Sequence, residues 1–479
     1  MLGLEMEDLP ESPVGRHRLF TVGGLALLAL VLSLLTGARV ATSRVLPDSD
    51  RPYLFAPTEP RPAPKPIEGQ VVDADTRIPI AGASIHSRSE EVRADADGRF
   101  TVAKPQYPLI VKAPGYGRLT LETAISPLTV SLHPKVVKAA YLTYYGVADK
   151  GIRGRVLDLL NHTELNGVVI DVKGDRGWIP YRTEVPLARE AGARGPVNIK
   201  EFDQMLADLK ARGVYTIARI VVFKDNVLAH HKPEWAVIDT RTGEPWLDNE
   251  RLAWLDPFRE EVWDYTIAVA KEAAQKGFDE IQFDYVRFPT DGKLGAARYS
   301  RPNTRDTRLP AIAGFLAKAR RELAPMGVFV AADLFGYTAF NENDTDIGQR
   351  IEELAPHLDY FSPMVYPSGY HLGIPGTPNP VENPYKVVFE SVKLIRKRSA
   401  HTQVKIRPWI QDFRDYAFDR RPFGVKEVQA QAKAAADAGA LGWMLWNPRN
   451  VYTSEALRSK SAPNARPQPT ANEEPSDFP

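Results

Sequence analysis

Between residues 135 and 457, apolar runs of strand length alternate with stretches whose apolar residues recur every three or four positions, the arrangement of parallel βα units. Eight strand-like runs are visible: 139-AAYLTYYG, 167-GVVIDVKG, 214-VYTIARIVVF, 280-EIQFDYVRF, 327-GVFVAADLF, 357-HLDYFSPMVYP, 404-VKIRPWIQDF and 441-LGWMLWN. Helical patterns such as 199-IKEFDQMLADLKARG, 259-REEVWDYTIAVAKEAAQKG, 310-PAIAGFLAKARRELAP and 425-VKEVQAQAKAAADAG lie between them, several ending at glycine, where a left-handed residue closes a helix. Eight such repeats predict an α/β fold, a (β/α)8 TIM barrel spanning 135–457. An open doubly wound sheet is the runner-up, but its glycine-rich phosphate turn after the first strand is missing.

Upstream, residues 67–133 give short β-type runs separated by turn signals such as 73-DADT and 95-DADG, which predicts a small β-sandwich. Asp95 and Asp97 beside Gly98 lack the later acidic ligands of a calcium loop and read as a hairpin turn. Further upstream, 19-LFTVGGLALLALVLSLLT-36 is uncharged and follows Arg16, His17 and Arg18, the pattern of a transmembrane anchor or signal with residues 1–18 in the cytoplasm. A proline-rich linker, 37–66, with a polyproline run at 60-PRPAPKP-66, then holds the remaining domains away from the membrane, outside the cytoplasm at the periplasmic or cell-surface side. Residues 458–479 are polar and proline-rich and read as a disordered tail.

Composition narrows the chemistry. Sixty-one basic against sixty acidic side chains leave a net charge of +1, so no global field points to nucleic acid. The absence of cysteine excludes disulfides, thiolate nucleophiles and cysteine-type metal sites. Nine histidines are scattered; the adjacent His230 and His231 lack a further ligand at metal spacing, so no metal and no cofactor are called for.

Strand parity locates the candidate site. Successive side chains point to opposite faces, so one parity meets the helices and the other enters the barrel. In the second run Val168, Ile170 and Val172 share the helix side and leave Asp171 and Lys173 facing inward. The third sends Arg219 inward; the fourth, Gln282 and Asp284; the fifth, Asp333; the sixth, Ser362 and Tyr366; the seventh, Arg407, Trp409 and Gln411. Burying one unpaired carboxylate costs several kcal/mol, so this set implies a wet, mutually satisfied site at the strand C-terminal ends. The plainer alternative is ion pairing within the barrel, Asp171 with Lys173 or Asp284 with Arg219.

Two carboxylates on neighbouring strands, framed by aromatics, match glycosidic bond hydrolysis: one carboxyl protonates the leaving oxygen, the other attacks the anomeric carbon or activates water. Tyr145, Trp178, Trp254, Tyr366, Trp409 and Trp446 stand near strand ends as candidate sugar platforms. The sequence therefore nominates Asp284, Asp333 and Asp171 as catalytic, and Lys173, Arg219, Gln282, Tyr366, Arg407, Trp409, Gln411 and Trp446 as substrate-binding. The competing readings are a non-catalytic glycan-binding or scaffolding protein of the cell envelope and a metal-dependent hydrolase.

The runs 168-VVIDVKGDRG, 217-IARIVVFKDNVLA, 254-WLDPF, 279-DEIQFDYVRFP, 331-AADLFG, 359-DYFSPMVYPSGY, 407-RPWIQDF and 442-GWMLWNPRN resemble a family of glycoside-hydrolase-like (β/α)8 barrels formerly classed as of unknown function, in collinear order. GQVVDADTRIPIAGASI, ADADGRFTV and IVKAPGY resemble the carboxypeptidase regulatory-like β-sandwich, which implies a spacer, folding-support or carbohydrate-facing module without catalysis of its own. The barrel resemblance implies a polysaccharide or oligosaccharide substrate. Through the likeness to amylase-like barrels, it implies Asp284 as nucleophile or base and Asp333 as acid. The amylase-like acid is a glutamate, whereas Asp333 is one methylene shorter. Gly369 stands where the family is expected to carry a bulkier side chain, a change that would open or alter one subsite.

Overall fold

A computed structural model describes residues 65–88 and 90–460. The anchor or signal at 19–36 lies outside them, as do residues 1–18 and all but the inner edges of the linker and tail. Among the described residues no helix is long and apolar enough to cross a membrane.

The eight expected strands form a closed parallel barrel: Val137–Leu142, Gly167–Lys173, Tyr215–Val221, Glu280–Asp284, Phe329–Phe335, Tyr360–Met364, a broken seventh strand (Lys405–Ile406 and Trp409–Gln411) and Gly442–Trp446. The eighth pairs with the first, which closes the ring and removes the open-sheet alternative. The break in the seventh falls at Pro408, which has no N–H to donate to the ladder.

Two apolar layers follow from strand parity. Val168, Ile170, Ala218, Ile220, Ile281 and Phe283 pack outward against the helices. Val137, Ala139, Val169, Tyr215, Ile217, Phe329, Ala331, Tyr360 and Met444 fill the inside, so the barrel is plugged below its mouth. The helix Glu260–Lys276 ends on Gly277 at φ 103°, the left-handed closure its sequence announced.

Residues 67–132 form two small sheets, one of three strands and one of four, around a shared core that includes Val71, Ile85, Phe100, Val111 and Val130. The 95–98 segment is a tight turn in which Asp95 Oδ1 accepts the Asp97 and Arg99 N–H groups. It passes from one sheet to the other and is not a hairpin, because its flanking strands, Glu91–Arg93 and Arg99–Val102, pair with different neighbours. This sandwich seals the barrel at its N-terminal pole: Lys112 Nζ reaches Asp359 Oδ2 at 3.1 Å, and Gly115 N–H donates to the Tyr360 hydroxyl at 2.8 Å. The C-terminal mouth is left open.

Candidate active site

Arg219, on the third strand and 2% exposed, is the centre of the mouth. Its Nη1 donates to Asp171 Oδ1 at 2.7 Å, and its Nε and Nη2 both donate to Asp284 Oδ2, at 2.9 and 2.6 Å. Nη2 also reaches Asp175 Oδ1 at 3.4 Å. The guanidinium lies 5.2 Å from the ring centroid of Trp446 and 5.5 Å from that of Tyr141, which stack on each other at 4.2 Å. One buried cation thus holds carboxylates from two neighbouring strands and one loop, the bidentate and ring-stacked role that suits arginine better than lysine.

The remaining oxygens of two of these carboxylates are also taken. Asp171 Oδ2 accepts the Tyr141 hydroxyl at 2.6 Å and the Tyr144 N–H at 3.0 Å, and Asp284 Oδ1 accepts the Tyr285 N–H at 2.6 Å. Burial pushes the Asp171 carboxyl up, against the pull of Arg219 and Tyr141. Tyr285, directly after the fourth strand, has φ +48°, a left-handed conformation that costs an aromatic residue strain.

Asp333 differs in kind. The register that sets Phe283 against Ala332 brings Asp284 beside Asp333 on adjacent strands, whose spacing is ~4.8 Å. Asp333 is 1% exposed; Trp409 Nε1 donates to its Oδ1 at 2.7 Å, while Oδ2 is buried without a hydrogen-bond partner. Burial first, and then the Asp284 charge, raise its carboxyl well above the usual range. The protonated form of Asp333 is thus favoured next to an arginine-bound carboxylate, the separation of environments that marks acid and base partners.

Of the nominated residues, Asp171, Arg219, Asp284, Asp333, Tyr366 and Trp446 converge at the mouth. Tyr366 packs on Phe413 and Trp446, and burial, with the carboxyls of Asp333 and Asp284 nearby, pushes its phenol up. The other five nominees do not line the mouth. Lys173 does not face inward: a register shift lets Arg219 pair with Asp171 but Ile220 with Lys173. This bulge turns Lys173 to the helix side, against Tyr265, where its ammonium meets Asp225 Oδ2 at 2.6 Å. Gln282 is fully buried one layer below, donating to Ser362 Oγ at 2.9 Å. Arg407 is fully buried at the barrel floor, 2.5 Å from Glu280, an inward carboxylate that parity should have flagged. Gln411 holds Ser368 and Phe413 in the loop after the sixth and seventh strands. Trp409, 1% exposed, offers no face to a sugar and instead supports Asp333.

Of the other aromatic candidates, Trp254 is buried and donates to Asp248 Oδ2 at 3.0 Å. Tyr145 is half exposed and lies against Trp178 at the rim. A small cleft beside Asp333 is lined by Phe335, Tyr337, Met364, Tyr366, Tyr370 and Tyr416. Gly369 borders it, and a β-carbon there would meet only Tyr416 and Tyr366, at 3.8 and 3.9 Å, so the missing side chain leaves room. Among the described residues Arg287 pairs with no carboxylate, and it lies among Tyr285, Trp254 and Phe335. Among the described residues no three His, Asp or Glu side chains are grouped to hold a metal ion.

A family model described as "Putative glycosyl hydrolase domain" matches residues 139–452. No curated protein matches the chain. A hypothetical protein of Ruminiclostridium thermocellum is 38% identical over 40% of this chain and 96% of its own, with a TM-score of 0.35. The PgaB (BpsB) glycoside hydrolase domain of Bordetella bronchiseptica is 14% identical, covering 68% of this chain and all of its own, with a TM-score of 0.49. A chitinase of Chromobacterium violaceum is 11% identical over 67% of this chain and 97% of its own, at 0.41.

Proposed function

This chain belongs to the "Putative glycosyl hydrolase domain" family, and from that premise we propose that it hydrolyses glycosidic bonds of a polysaccharide, with Asp333 as the proton donor to the leaving oxygen. The observation that carries the reading is the Asp284–Asp333 dyad. Asp284 is held by Arg219, and burial together with the Asp284 charge raises the neighbouring Asp333 carboxyl and favours its protonated form, the form a proton donor needs. Asp284 also sets a negative charge where an oxocarbenium-like centre would develop.

Hydrolysis of a panel of polysaccharides by the full chain tests this. Asp333→Asn and Asp284→Asn should each lower turnover by about 10²–10⁴-fold, with melting temperature not reduced for Asp333→Asn. Unchanged turnover in both variants sinks the assignment. Glycan binding without product release from the wild-type chain would favour the non-catalytic binding reading instead.

The apolar segment 19–36 behind a basic cluster supports a location outside the cytoplasm, tethered to the membrane. Protease added to intact cells, or to cells with a permeabilised outer layer, should digest the barrel; protection until the inner membrane is lysed would refute it. The resemblance of the sandwich to carboxypeptidase regulatory-like modules fits a supporting role, since it meets the barrel at the pole opposite the mouth.

A further inference from the structure

We infer that Asp175, a residue of the loop after the second barrel strand, is the carboxylate that activates water in this reaction; the inference rests on the hydrolase reading above. Asp171, Asp175, Asp284 and Asp333 stand around Arg219 at the mouth, and their hydrogen bonds sort them. Asp171 and Asp284 each accept three donors, spread over both oxygens, at 3.0 Å or less. A carboxylate so occupied has about one of its four lone-pair sites left, and both of these side chains are buried, which leaves little room for a water beside them. Asp333 is buried, with Trp409 on one oxygen, and has the role of acid. Asp175 alone keeps long contacts, 3.4 Å to Arg219 Nη2 and 3.5 Å to the Tyr285 hydroxyl, and its side chain is 36% exposed. Among the four, it has room for a water.

The fold also holds Asp175 in place. Its turn is closed by Gly174 N–H to Trp178 O at 3.1 Å and Gly177 N–H to Gly174 O at 2.9 Å. Gly177 sits at φ +85°, where a β-carbon would come within 2.0 Å of Asp225 Oδ1, so only glycine lets the turn lie down on Asp225. Asp225 is in turn fixed by Lys173. The bulge that takes Lys173 away from the mouth therefore anchors the loop that carries Asp175 over it. From the far side the strained Tyr285 presents its hydroxyl to Asp175, and the Lys224 ammonium acts on the same carboxylate.

The neighbouring dyad leaves this role open. Asp284 and Asp333 stand side by side on adjacent strands, closer than the about 6.5–9.5 Å of an inverting acid and base and nearer the about 5 Å of a retaining pair, so the configuration of the product decides between Asp284 as nucleophile and Asp175 as base. In the step proposed, a water oxygen forms a bond to the anomeric carbon as its proton passes to the Asp175 carboxylate. The bond from that carbon to the leaving oxygen breaks, its electron pair stays on that oxygen, and the Asp333 proton neutralises it. Asp175 ends protonated and Asp333 ionised, and exchange with solvent restores both. The product has inverted configuration.

The test uses the full chain on a cleaved member of the panel, with product anomers read by proton NMR. Asp175→Ala should lose about 10²–10⁴-fold in kcat, with KM within about threefold and the melting temperature unchanged, as expected for a base and not for a structural residue. Sodium azide, a nucleophile that needs no base, should restore turnover in Asp175→Ala and give an inverted glycosyl azide. Near-normal kcat in Asp175→Ala, or a retained product from the wild-type chain, overturns the role of Asp175 alone, provided Asp333→Asn is inactive. If Asp333→Asn and Asp284→Asn both turn over unchanged, or the wild type cleaves nothing, the hydrolase reading falls and Asp175 with it.

Discussion

At the scale of single residues the mouth divides into groups that react and groups that support them, and protonation is the clearest handle. Asp333 has its carboxyl raised by burial and by the Asp284 charge. A carboxyl raised in the folded state contributes stability that is present below its unfolded value and lost as pH rises through the folded one. Above that folded value, then, the neutral Asp333→Asn chain should melt at a higher temperature than wild type, the trade expected where stability is given up for function. Asp284→Asn removes the raising charge, so Asp333 should titrate at lower pH. Infrared difference spectra across a pH titration would follow its carboxyl stretch; an unmoved titration in Asp284→Asn would show that the two carboxyls do not act on each other.

At the scale of elements, strand parity and the eight-fold alternation made the barrel and the inward polar set legible before any coordinates. Parity placed Arg219, Gln282, Asp284, Asp333, Trp409 and Gln411 on the correct face because those strands run in regular pleat. It failed where the pleat is interrupted. The bulge after Asp171 reversed Lys173, and no residue type in 167-GVVIDVKG signals an extra residue there. Parity also carries no height along the barrel: Arg407, Gln282 and Asp284 share the inward face, yet only the last reaches the mouth. Counting layers from the first residue of each strand would have separated them, since Glu280, Phe329 and Tyr360 all open their strands at the floor. Asp175 went unmarked for a different reason. It lies in a loop, where no periodicity predicts direction, and the signal was only the Asp-x3-Asp spacing inside 171-DVKGDRG.

At the scale of the whole molecule, the sandwich and barrel are joined by a buried ion pair that makes their stability interdependent. Lys112, on the sandwich strand Leu109–Lys112, and Asp359, just before the sixth barrel strand, are 1% and 3% exposed. Burial opposes charge on both. It pushes the Lys112 ammonium down, whereas Asp359 is held down to about 2, because Lys112, Arg320 and the Val330 N–H together outweigh its desolvation. Asp359 has three partners and Lys112 a single carboxylate, so the shift on the acid is the one to follow. Because the folded value lies below the unfolded one, the pair's stability is present above the ordinary carboxylate range and is lost as pH falls from about 4 to about 2. The loss is about 2 kcal/mol by the linkage relation. Removing one partner at neutral pH should cost more, about 3–5 kcal/mol, because Lys112→Met leaves Asp359 charged and buried with only Arg320 and the Val330 N–H. Urea unfolding of the full chain, followed by tryptophan fluorescence, checks both. All eight tryptophans lie in the barrel, so loss of barrel stability on a sandwich substitution shows coupling directly. A barrel midpoint unmoved by Lys112→Met would mean that the sandwich is an independent spacer and not a folding support, two of the roles its resemblance to carboxypeptidase regulatory-like modules left open.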